Sequence, residues 1–151
     1  MSRIDQAEYL FKKGFSCSQA VCAAFAPEFD LDAETALKIS GPFGGGCGRQ
    51  GELCGAVAGA MMILGLKHGR VKAEDAATRD ACYAAVQTLW REFAARNGGK
   101  IDCRDLLGCE LGTPEGAAKA KAMEFHTAVC PKFIRDAGEI LAGLLSAGPD
   151  V

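Results

Sequence analysis

Cysteine is the residue through which this chain could do chemistry. Eight are spread over 151 residues, and four of them open stretches that read as helices. Cys17 follows Ser16 in Ser16-Cys17-Ser18-Gln19, a capping box in which serine and glutamine side chains each satisfy the other residue's backbone N–H. Cys103 follows Asp102, Cys130 immediately precedes Pro131, and Cys54 lies in the first turn of a helix expected over Leu53 to His68. A thiol at a helix N-terminus faces unpaired N–H groups and the positive end of the macrodipole. Both favour thiolate, so these cysteines are expected to fall below the usual pKa of about 8.5. Thiolate attacks disulfides and binds soft metals.

The elements between these helices decide whether the thiols meet. Return segments at about 32–40, 74–96 and 114–127 separate the cysteine-bearing starts. If neighbours pack antiparallel, Cys17, Cys54, Cys103 and Cys130 fall at one end of a bundle. A disulfide or a metal could form only if the sulfurs come within about 10 Å of one another.

Residues Gly44 to Gly59, GGGCGRQGELCGAVAG, hold nine glycines or cysteines in sixteen positions, a permissive loop leading into a helix. Cys47, in that loop, could serve Cys54 as a resolving thiol. His126 lies four residues before Cys130, so one helical turn could present both to a metal; the alternative is a half-buried histidine that hydrogen-bonds locally. Cys22 and Cys82 read as core, and nothing in the sequence supports a role for Cys109. No C-x-x-C occurs, which argues against a thioredoxin-type dithiol and a zinc ribbon, and no C-x-x-C-H offers c-type haem attachment. No Walker lysine follows the glycines, so nucleotide binding is a weak reading.

The whole pattern is helical: alanine is abundant, β-branched residues are sparse, and no strand alternation persists. We expect residues 1–151 to form one all-α domain, a compact multi-helix bundle with a glycine-rich loop and cysteines at helix N-termini. Helices are expected at about Arg3–Lys13, from Ser16 to Pro27, Asp32–Ile39, Leu53–His68, Glu74–Arg96, Cys103–Leu107, Thr113 to Thr127, and from Pro131 to a stop at Gly148-Pro149. In the long helix Tyr83, Val86, Trp90 and Phe93 form the expected apolar stripe, with Trp90 in the core. In the last, Phe133, Ile134, Ala137, Ile140, Leu141, Leu144 and Leu145 do. Gly55, Ala56, Gly59 and Ala60 give one helix a nearly bare face, suited to close packing within the chain or across a homodimer.

Charge narrows the function classes. Seventeen basic and nineteen acidic residues give a formal net charge of −2 with no basic stripe, so no nucleic-acid partner is expected. The N-terminus is charged and lacks a secretory apolar run. The longest uncharged apolar stretch, Leu53 to Leu66, would span about 20 Å against a bilayer core of about 30 Å, so no membrane insertion is expected. A cytoplasmic location follows as the expectation, and there cysteines serve metal binding or redox chemistry more readily than a disulfide framework.

The segments FSCSQAV, GGGCGRQGELCGAVAGAMM, IDCRDLLG and CPKFIRDAGEIL resemble the C_GCAxxG_C_C family of small bacterial and archaeal proteins regarded as redox-active. The resemblance implies that the characteristic cysteines are Cys17, Cys54, Cys103 and Cys130, with the signature at Cys54, Gly55, Ala56 and Gly59. It also implies an association with transporter gene neighbourhoods and, through related sequence in split-Soret cytochromes, an electron-transfer setting. A redox protein acting on a partner protein that the sequence does not identify is thus the leading expectation. Its four thiols would either ligate an iron–sulfur cluster, [2Fe–2S] first, or cycle between dithiol and disulfide. A four-cysteine zinc module, or a helical accessory protein of a transporter with structural cysteines, are the alternatives.

Overall fold

Ser2 and Asp5 close a capping box that starts α1 (Arg3–Lys12), and Ser16 and Gln19 close the expected one at α2 (Cys17–Phe25). The structure, a computed structural model, describes residues 1–147, so the stop expected at Gly148-Pro149 lies outside the described residues. A 3-10 turn over Ala26–Phe29 leads to α3 (Ala33–Ser40), whose Asp32 cap accepts the Thr35 N–H. Then follow α4 (Gly55–His68), α5 (Ala76–Arg96), α6 (Cys103–Leu107), α7 (Pro114–Ala122) and α8 (Cys130–Ser146). The architecture is the all-α bundle expected, with no strand among the described residues. None of its described helices is long and apolar enough to cross a membrane.

Helices α2 and α4 form the centre because their small residues let them touch. A Cβ on Gly59 would stand 2.6 Å from the Ser18 carbonyl oxygen, and one on Gly55 3.1 Å from the Ser18 nitrogen. The small-residue face is therefore used inside the chain. Buried beside it, the Ser18 hydroxyl donates to the Ser40 carbonyl at 2.7 Å, and the Ser40 hydroxyl to Ala36 at 2.6 Å. That ties α3 to α2 without an unpaired buried polar atom, which would cost about 1–3 kcal/mol. Around this pair α8 buries Phe133, Ile134, Ala137, Ile140 and Leu141 as predicted, while Leu144 and Leu145 are half-buried.

Three expectations are corrected. On α5 the buried residues are Leu89 and Phe93, whereas Tyr83 and Trp90 are 56% and 40% exposed. The stripe that packs runs through Val86, Leu89 and Phe93, and Trp90 sits about 100° round the helix from Leu89. Helix α7 stops at Ala122 rather than near Thr127: Glu124 is left-handed (φ 53°), and Phe125–Val129 form a π-helical turn. Helix α4 starts at Gly55, because Leu53 instead pairs with Asp102 in an isolated antiparallel bridge.

Candidate functional site: a chamber of four thiols

The glycine loop is wound left-handed. Gly45, Gly46, Cys47, Gly48 and Arg49 all have φ between 66° and 71°, and amides from Gly48 to Glu52 donate back to the carbonyls of Gly44, Gly45 and Gly46. Glycine adopts this conformation freely; Cys47 and Arg49 each carry about 1–2 kcal/mol of strain. The turn brings the loop against α6, where a Cβ on Gly46 would meet the Cys103 Cβ at 2.8 Å and the Glu52 nitrogen at 2.6 Å. The density of glycine was the sequence signal for this turn; its handedness was not legible.

Behind the loop lies a chamber of about 550 Å³ whose wall includes Cys17, Cys54, Cys103 and Cys130. Cys17, Cys103 and Cys130 are the first residues of α2, α6 and α8, and Cys54 is the residue before α4, its N-cap, rather than part of the first turn. Cys54 and Cys130 are buried; Cys17 and Cys103 are half-buried. Two different devices bring the thiols in. The Cys54 N–H donates to the Ile101 carbonyl at 3.0 Å and the Cys103 N–H to Glu52 at 2.6 Å, so the Leu53–Asp102 bridge pairs two chamber cysteines through their backbones. Cys17 and Cys130, on two separate helix starts, lie close enough for Cys130 to raise the Cys17 pKa.

Arg104 fastens the first pair. Its guanidinium donates to the carbonyls of Gly51 at 3.0 Å and Gln50 at 3.1 Å and pairs with the Glu52 carboxylate, with Glu110 3.8 Å away. The Asp102 side chain, just before α6, makes no capping bond; the backbone pairing takes that role.

The expected lowering of the thiol pKa is overturned for Cys17, Cys54 and Cys103. The neighbouring Cys130 sulfur, toward which Cys17 keeps its proton, burial and the Cys130 charge raise Cys17 well above its ordinary value. Burial, then the neighbouring Cys17, push Cys54 up to about 12, although the N–H groups of Ala56 and Val57 pull the other way. Burial, then Cys54 and Cys17, push Cys103 up to about 12. A helix terminus is worth at most about 2 kcal/mol, whereas full desolvation shifts a pKa by up to about 3–5 units. Burial therefore wins, and without a counter-charge these three cysteines stay neutral thiols.

The other candidates separate cleanly. Cys47 is absent from the chamber wall. His126 lines it, with its ring 5.0 Å from that of Phe11 and 4.1 Å from that of Phe125. The π-turn around it, closed by the Cys130 N–H on the Phe125 carbonyl, replaces the α-helical spacing expected between His126 and Cys130. Cys22 is wholly buried, as expected, beside the Ser40 hydroxyl, and Cys82 is half-buried on α5. Cys109, which no sequence feature singled out, lies close enough to Cys103 to help raise its pKa. Among the described residues no three His, Cys, Asp or Glu side chains converge closely enough to hold a single metal ion.

An all-helical bundle thus gathers thiols from four helix starts onto one chamber, which defines a small cysteine-rich helical protein. The family described as "Putative redox-active protein (C_GCAxxG_C_C)" matches residues 15–144, and the chain belongs to that family. No curated protein and no solved structure matches it.

Proposed function

We propose that the protein is an electron carrier whose chamber thiols, Cys17, Cys54, Cys103 and Cys130, hold an iron–sulfur cluster, with [2Fe–2S] the core that four thiolates complete. The observation that carries this reading is that all four cysteines line one chamber from four helix starts. Thiols buried together oppose one another's ionisation, so they become thiolates only against a compensating positive charge, which an iron–sulfide core provides. The N–H groups of Ala56 and Val57 favour the charged form of Cys54 and would steady the remaining negative charge. A closed zinc site needs its sulfurs about 2.3 Å from one point. No group of three donors converges in this way among the described residues, whereas a [2Fe–2S] core asks for two thiolates on each of two irons.

When bound, the cluster supplies one-electron oxidation and reduction. The chain's own residues hold it and keep water out: Phe11, Leu107 and Phe133, all buried, stand on the chamber wall. The closeness of the Cys17 and Cys130 thiols favours a second reading, a two-electron dithiol. In it the two thiols release two protons and pass two electrons to an external disulfide; a sulfur–sulfur bond forms between them as the acceptor leaves as two thiols.

Anaerobic purification with iron and sulfide analysis, visible spectra and electron paramagnetic resonance separates the two. We expect about two irons and two sulfides per chain, lost when the four cysteines are replaced by serine. Failure to take up iron on anaerobic reconstitution, with Cys17 and Cys130 oxidising as a pair, would establish the dithiol instead.

A further inference from the structure

We propose that the chamber also binds a small organic anion with a flat apolar body, its charged end on Arg49 and its body on the aromatic wall beside the thiols. The volume, about 550 Å³, is that of a small-molecule pocket, for which about 300–1,000 Å³ is usual. Much of the wall has no part in holding iron: Phe11, Phe15, Phe125 and Phe133 line the space, and the His126 ring is tilted against two of them. No aspartate or glutamate lines the chamber, and Arg49 is its one arginine, with no lysine beside it. Unlike Arg96, Arg104 and Arg135, each engaged with carboxylates, Arg49 has no ion pair among the described residues.

Two glycines stand close against Arg49, one at its side chain and one at its backbone. A Cβ on Gly45 would stand 2.9 Å from the Arg49 Cγ, and one on Gly112 2.7 Å from the Arg49 carbonyl oxygen, so both glycines leave Arg49 its room. Arg49 itself holds φ at 66°, where glycine would be unstrained. An unpaired arginine kept at a strained position on the rim of an apolar chamber free of carboxylates selects an anion. The flat faces beneath select what the anion is attached to. Binding stands on the chamber alone; a role for the ligand as the redox partner of the thiols rests on the electron-carrier reading.

Calorimetric titration of 2-naphthoate, 2-naphthamide and acetate into the full chain tests this, in both the iron-reconstituted and the metal-free form. We expect one saturable naphthoate site per chain in both forms, about tenfold or more tighter than naphthamide, with acetate too weak to titrate. Arg49→Gly, which suits the left-handed backbone and so keeps the helical circular dichroism, is expected to bind the acid and the amide equally. The site is overturned by no saturable binding, by equal affinity for acid and amide in the unaltered chain, by an Arg49→Gly variant that still prefers the acid, or by binding to the metal-free form alone. If no iron is taken up, the electron-carrier reading fails while the metal-free titration still decides the site.

Discussion

Leu53 and Asp102 pair as an isolated antiparallel bridge, and each is the residue immediately before a chamber cysteine. Forty-odd residues of chain separate them, yet the bridge sets Cys54 and Cys103 side by side through two backbone hydrogen bonds, 3.0 Å and 2.6 Å long. So short a pairing cannot stand alone. It is held by α4 and α6, which grow from its ends, and by Arg104, which reaches back over the loop to Gln50, Gly51 and Glu52.

Arg104 is therefore a positioning residue for one half of the thiol set. Arg104→Gln should cost about 1–2 kcal/mol of stability through its lost hydrogen bonds. In the metal-free protein it should also slow the bridging of Cys54 and Cys103 by dibromobimane several-fold, leaving Cys17 and Cys130 unaffected. Peptide mapping of the bridged products reads this directly. Equal slowing of both pairs would mean that Arg104 supports the fold generally.

The contact of α2 with α4 makes opposite predictions for two glycines of one helix. Gly59→Ala drives a methyl to 2.6 Å from the Ser18 carbonyl and should destabilise by about 1–3 kcal/mol. Gly65→Ala meets nothing within 4 Å and should stabilise by about 0.5–1 kcal/mol. Urea unfolding midpoints at constant slope distinguish the two signs.

Alkali should loosen the metal-free protein. Cys54 and Cys103, at about 12 against an ordinary 9.0, hold their protons more tightly folded than unfolded. Their contribution is complete below pH 9 and fades as the pH rises toward 12, where the folded thiols finally ionise. The urea midpoint should drop across that interval more steeply than in Cys103→Ser, and alkylation at pH about 8 should be slower than for an exposed thiol. A flat midpoint would contradict the burial.

The left-handed turn predicts that Cys47 is worth less than glycine at its own position. Cys47→Gly should raise stability by up to about 1 kcal/mol, the relief of its positive φ less the entropy added to the unfolded chain. It should also leave iron uptake intact. Gly46→Ala, beside Glu52 and Cys103, should lower both stability and iron content. Loss of iron in Cys47→Gly would make Cys47 part of the site.

Local chemistry was legible because it is carried by neighbours along the chain. The capping box at Ser16, the Asp32 cap, Pro114 at the start of α7 and the apolar face of α8 depend on residues close along the chain. Where two faces of one helix were both plausible, the reading went astray. Tyr83, Val86, Trp90 and Phe93 share a stripe with helical spacing, yet Leu89, one position from Trp90, is wholly buried. Which face turns inward depends on where α4 and α8 stand, and that information is not in α5.

By itself, then, the sequence determined eight helices and put three cysteines at their starts and a fourth, Cys54, beside one. It could not determine the ionisation of those cysteines, because the macrodipole is local to each helix while desolvation and thiol–thiol repulsion arise only once the helices meet. Nor could it show the left-handed turn, the Leu53–Asp102 bridge or the chamber, each made by segments far apart in the chain. Tertiary structure decided those, since burial and electrostatics depend on distance through space and helix capping on distance along the chain.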